Sequence, residues 1–113
     1  MNEPKPPREI NEERVQRAVD YLTDSAPQYG AARGHMEFAE AGLRRTKSMV
    51  MLGIDGSLGE REARAYASDE YKAAMESHRD AVADYETIRA YREAAVMLIE
   101  SWRSLNAARR QGV

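Results

Sequence analysis

Between Ser68 and Arg110 the chain contains neither proline nor glycine. That absence constrains the fold more than any other feature. An apolar stripe runs through the segment at steps of three and four: Tyr71, Met75, His78, Val82, Tyr85, Ile88, Tyr91, Ala95, Leu98, Trp102 and Leu105. Such spacing lines one face of an α-helix. At 1.5 Å per residue the segment spans about 60 Å, several times the length of an ordinary globular helix. The stripe needs a partner to bury it. From Val82 through Tyr85 and Ile88 to Tyr91 the steps are three, three, three, a drift that overwinds a coiled coil locally. The expectation is therefore two partners. The first half packs on an earlier helix of the same chain, and the second half, ending in Trp102, packs on another chain.

The preceding residues read as helices with local start signals. Residues 1–9 hold three of the four prolines and read as a flexible arm. Asn11 is an N-cap followed by Glu12 and Glu13, where the helix dipole favours acids. Ile10 and Val15 have the spacing of a hydrophobic staple, and the apolar face is Val15, Ala18, Val19 and Leu22. Ser25 reads as the cap of a second helix, with Gln28 at capping-box spacing and Pro27 tolerated in the first turn. Tyr29, Ala32, Met36, Ala39, Leu43, Thr46 and Val50 then form a heptad seam. Gly30, Gly34 and Gly42 weaken that helix by up to about 1 kcal/mol each, which points to close approach of a neighbouring helix or to a bend. Gly53 reads as a C-cap and residues 53–59 as a loop. Ser57 with Glu60 opens a short helix, and Ser68 with Asp69 and Glu70 opens the long one. The predicted class is all-α: a helical hairpin or bundle with one very long C-terminal helix, oligomeric. A single domain over 10–110 holds helices of about 12–24, 26–52, 58–67 and 69–110.

Composition narrows the function. The chain has 113 residues, 42% hydrophobic, with one Phe and one Trp, so its core is thin and oligomerisation is expected. The net charge of −2 supplies no global attraction to nucleic acid or anionic lipid. The basic residues are nearly all Arg, whose planar fork suits carboxylate and phosphate; GC-rich coding would produce the same skew. With no cysteine, thiolate catalysis, disulfides and zinc–thiolate sites are excluded. No apolar run is long enough to cross a membrane and no signal peptide is legible, so the expected location is the cytoplasm, that of the host cell if the chain is phage encoded.

Each candidate site has a plain structural reading beside it. His35 and His78 lie on different helices with no acid three or four residues away, so no metal is expected. Glu76, Asp80 and Asp84 share a helix face that reads as solvated acid. The loop at residues 53–59 follows a helix and lacks the Lys-Ser/Thr of a phosphate-binding loop. Tyr66, Tyr71, Tyr85 and Tyr91 suit either base stacking or helix packing with wet hydroxyls, and packing is the expectation. Arg44, Arg45 and Lys47, with Arg61 and Arg64 on the short helix, form a basic cluster suited to backbone phosphates. Arg103, Arg109 and Arg110 form a second, where the dipole of a helix C-terminus already favours cations. Leu98, Trp102 and Leu105 are the expected subunit interface, with Trp102 its hot spot. No catalytic constellation is legible, and no cofactor, small-molecule substrate or membrane partner is expected.

From Arg61 to Arg110 the chain also resembles small all-helical bacteriophage proteins encoded beside recombination and replication genes. The resemblance rests on Arg61-Glu62, Ala65, Tyr66-Ala67-Ser68, Tyr71, Ile99-Glu100-Ser101-Trp102-Arg103 and Arg109. The rhythm is similar to T4-type recombination mediators, small helical oligomers that bind single-stranded DNA and help load a recombinase. The resemblance implies a non-enzymatic accessory protein that oligomerises and binds a protein or nucleoprotein partner, with single-stranded DNA or a recombination protein as that partner. The alternatives are a protein-mimicking inhibitor of the anti-defence type, using its acidic face, and a plain structural scaffolding bundle.

Overall fold

The computed structural model describes residues 9–112, so of the arm expected over 1–9 only Glu9 falls within it. The described residues are 89% helical and contain no strand, which is the all-α class expected. Three helices follow in order: α1 (Glu12–Leu52), α2 (Leu58–Tyr66) and α3 (Asp69–Gln111).

Three helix starts follow the local signals. Asn11 Oδ1 accepts from the Arg14 N–H at 2.9 Å, and Ser57 Oγ from Glu60 N at 3.3 Å. Ser68 Oγ accepts from Tyr71 N at 3.1 Å and donates to the Ala65 carbonyl at 2.6 Å, tying the end of α2 to the start of α3. These bonds satisfy orphan N–H groups of a first turn. The loop before α2 turns at Gly56, whose φ of +125° suits only glycine.

The break expected at Ser25 is absent. α1 runs through Ser25 and Pro27 without interruption, so the two helices expected over 12–24 and 26–52 are one. The physical reason lies in the seam. Val15, Ala18, Leu22 and Ser25 alternate by three and four, and the step of four to Tyr29 keeps the same register. Ser25 is a seam residue, 4% exposed, and its hydroxyl is engaged in packing rather than in capping.

The chain groups into two compact units, one built from residues up to Ala26 and from Ala90 on, the other Pro27–Arg89. In the second unit, α1 and α3 run antiparallel. Tyr29 stacks on Tyr85 with ring centroids 5.3 Å apart and planes at 9°, and the two hydroxyls hydrogen-bond at 3.1 Å. The half-buried or buried positions there are 29, 32, 36, 39, 43, 46 and 50 on α1, and 71, 74, 78, 81, 85 and 88 on α3, with flanking Gly42, Lys47, Met51 and Val82. Ala65 of α2 is fully buried.

In the first unit, Arg92 reaches from α3 to α1, where its Nη1 donates to the Leu22 carbonyl at 2.8 Å and to Ser25 Oγ at 2.7 Å. Ala18 and Ala95 are buried in the same unit, and Leu98, Ile99, Trp102 and Asn106 are half-buried.

The seam of α3 also differs from the stripe expected. Covered positions 71, 74, 78, 81, 85, 88, 92, 95, 99, 102 and 106 keep an alternation of three and four, and Val82 and Leu98 of the expected stripe are half-buried beside them. Tyr91 is 64% exposed, Met75 47% and Leu105 41%. Tracking the largest apolar residues therefore produced the apparent drift. The seam passes through His78 and Ala95, as expected, but also through Ala74, Ala81, Arg92 and Asn106, which hydrophobicity does not reveal.

Candidate functional site

Of the five residues in the expected basic cluster, all fall in the unit Pro27–Arg89, and two are engaged in holding that unit together. The last turn of α1 carries no basic residue, and only Gly56 among the glycines has the left-handed φ of a glycine cap. Gly53 follows α1 but closes it by a bond from its N–H to the Val50 carbonyl at 3.1 Å. Arg61 supplies the missing cation from α2: its Nε and Nη2 donate to the Met51 carbonyl at 3.3 and 3.1 Å. The Met51 carbonyl also accepts from the Ile54 N–H at 3.2 Å, and a guanidinium beside it complements the dipole of the helix end. Replacing Arg61 by alanine is expected to lower stability by about 1.5 kcal/mol, read as a shift in the urea midpoint.

Lys47 is similarly committed. Its Nζ lies 3.4 Å from Glu62 Oε1 and 4.8 Å from the centre of the Tyr66 ring, which in turn meets Tyr71 edge-on at 5.2 Å. Hydrogen bonding with Tyr66 and the charge of Glu62 hold its ammonium above the ordinary lysine value. Arg44, Arg45 and Arg64 remain exposed. Arg45 lines an open groove with Met49, Val50, Ile54 and Glu70. Of the five basic residues that spacing grouped together, these three arginines are the ones left exposed.

Tyrosine is used chiefly for packing. The Tyr85 hydroxyl is pushed above the ordinary phenol range, first by its hydrogen bond with Tyr29 and then by burial. For Tyr85 and Lys47 alike the folded state favours the protonated form. Their contributions are complete below the ordinary values of 10.0 and 10.5 and vanish as pH rises through the shifted ones. The urea midpoint is expected to be level up to about pH 9 and to fall above about pH 10, with the fall reduced in Tyr85→Phe.

The expected interface residues fall in the unit that includes residues 90–112. Leu98 and Trp102 are half-buried and Leu105 is exposed. The Arg109 guanidinium lies 6.0 Å from the centre of the Trp102 ring, at the limit of a cation–π contact. On the acidic face, Asp80 is paired with Arg79 at 3.0 Å. Asp80 and Asp84 line a shallow groove with Gln28, His35, Ser77 and Thr87. Among the described residues no group of three His, Asp or Glu side chains is placed to hold a metal ion, and no helix is long and apolar enough to cross a membrane.

What the sequence reading missed is the outer side of α1. Phe38 is 81% exposed, Leu52 78% and Met49 58%. They fall at i, i+11 and i+14, a single helix face, and lie outside the seam. That spacing was present in the sequence but was overshadowed by the stronger seam at 29–50. Comparison with protein-family models, with curated proteins and with solved structures finds no match to this chain.

Proposed function

We propose that this protein works by association, as a non-enzymatic helical accessory protein that oligomerises and engages a protein or nucleoprotein partner. The observation that carries this reading is the balance of burial. Among the described residues only Ala18, Ser25, Ala32, Ala65 and Ala95 are buried, and no large side chain is fully so. Large apolar side chains from Val19 to Leu105 stand exposed instead. A chain whose interior is built of alanine retains most of its apolar surface for contacts with other molecules. The described pockets are open grooves without a charged or nucleophilic group buried in them, which suits association better than catalysis.

Within this reading the partner belongs to DNA recombination or replication of the phage type. Arg44, Arg45 and Arg64 would be its phosphate contacts. Sedimentation velocity over a range of concentrations tests association; a monomer throughout would overturn it. Anisotropy of a labelled single-stranded oligonucleotide tests the nucleic-acid part. Binding at about 50 mM salt that weakens steeply with added salt is expected, and indifference to reversing Arg44 and Arg45 would remove it.

A further inference from the structure

The outer face of α1 between Ala31 and Leu52 is matched to itself. It carries Ala31, Gly34, Phe38, Ala41, Arg45, Ser48 and Leu52 at alternating steps of three and four, all exposed. This is a second heptad stripe, on the side of α1 turned away from the seam. A Cβ added at Gly34 or Gly42 would meet nothing within 4 Å, so no contact within the chain explains either glycine, although each weakens the helix by about 1 kcal/mol relative to alanine.

We propose that this face binds the same face of a second copy of the chain, the two α1 helices antiparallel about a two-fold axis near Ala41 and Gly42. The proposal rests on the association reading above and is independent of its nucleic-acid part. Two complementarities single out a second copy. The first is of shape. The large residues Met49 and Leu52 lie at one end and the small residues Gly34 and Ala31 at the other, so an antiparallel pair about this axis sets large against small. It also brings Phe38 of each copy to Arg45 of the other, a cation–π pairing, while Ala41 and Gly42 permit close approach of the two backbones. The second is of charge. Beside the stripe, Glu37 and Glu40 precede the axis and Arg44 follows it, with Arg45 of the stripe on the same side of the axis as Arg44. The one cation in the acidic half, Arg33, is held by Glu37 at 3.2 Å. Antiparallel pairing places the acidic half of each copy against the basic half of the other, whereas parallel pairing would oppose like charges. Isologous contact of this kind closes after two copies.

The chain has no cysteine, which makes the geometry directly testable. Ala41→Cys, next to the axis, is expected to form a disulfide-linked dimer under mild oxidation, because only near a two-fold axis do equivalent Cβ atoms approach closely enough. Ser101→Cys, on the other unit, is expected not to. Unmodified protein should sediment at twice the 12.8 kDa of one chain, and Phe38→Arg, which sets like charges at positions 38 and 45 of the two copies, at the mass of one chain with unchanged helical circular dichroism. Phe38 is 81% exposed, so this change leaves the single chain intact. A dimer that survives Phe38→Arg, or that crosslinks through Ser101→Cys and not Ala41→Cys, overturns this face while the association reading stands. A protein that is monomeric at every concentration overturns both.

Discussion

Replacing Arg92 by alanine is expected to lower the stability of the folded chain by about 2 kcal/mol, measured as a shift in the urea midpoint at constant slope. One nitrogen of Arg92 serves both the Leu22 carbonyl and the Ser25 hydroxyl, at 2.8 and 2.7 Å. Hydrogen bonds from a charged donor contribute about 1.5–3 kcal/mol, and alanine would also leave an opening at a seam position. The paired change Ser25→Ala with Arg92→Leu should behave differently. It removes donor and acceptor together and continues the apolar seam, so its stability is expected to equal or exceed that of the unmodified protein. The cost would fall on register. Among seam residues of the small type, Ala18 and Ala32 lie one heptad to either side of Ser25 and offer no hydroxyl. Arg92 therefore finds its side-chain oxygen in one alignment only, the use of a buried polar group best attested in coiled coils. If the paired variant loses as much stability as Arg92→Ala alone, the interaction contributes through packing of the arginine stem instead.

Pro27→Ala is expected to change stability by a similar amount in the opposite direction. Pro27 is interior to α1 and exposed. It has no N–H to offer the carbonyl of Thr23, and its ring crowds the preceding turn. In a helix interior this costs about 3 kcal/mol relative to alanine. Alanine forgoes the proline's restriction of the unfolded chain, about 0.4–1 kcal/mol, which leaves a net gain of about 2 kcal/mol. Thermal unfolding should move upward by about 10 °C. An unchanged midpoint would mean that helix α1 yields at residue 27 in solution and avoids the penalty. Contacts on either side of the proline explain why the chain bears it: Ser25 is held by Arg92 and Tyr29 by Tyr85.

Much of this architecture is legible in the sequence. The heptad seam from Tyr29 to Val50 lies on the face that α1 covers, and Asn11, Ser57 and Ser68 cap the helices that they begin. Other readings failed for identifiable reasons. Ser25 with Gln28 and Pro27 has all the chemistry of a helix start, and nothing local distinguishes a serine that caps from one that packs. The drift along α3 came from following Tyr91 and Leu105, which face water, while the seam passed through Arg92 and Asn106. Of the expected basic cluster, Arg61 on α2 reaches the end of α1 at the Met51 carbonyl. The cluster's arginines and lysine were not interchangeable, however: Arg61 closes a helix end and Lys47 pairs with Glu62, leaving Arg44, Arg45 and Arg64 outward.

What the chain determined by itself is its helical content and where α2 and α3 begin. Those depend on hydrogen bonds between residues three apart and on the absence of helix breakers over long runs, both local properties. What only the tertiary structure decided is which polar residues belong to the interior and which apolar ones do not. Ser25 and Arg92 stand 67 residues apart in sequence, and a hydroxyl and a guanidinium show no affinity for a core until packing brings each the partner that offsets its desolvation. Conversely, Phe38 and Leu52 remain outside because α3 and α2 cover other faces of α1, and burial of an apolar side chain depends on the geometry of its neighbours as well as on its own hydrophobicity.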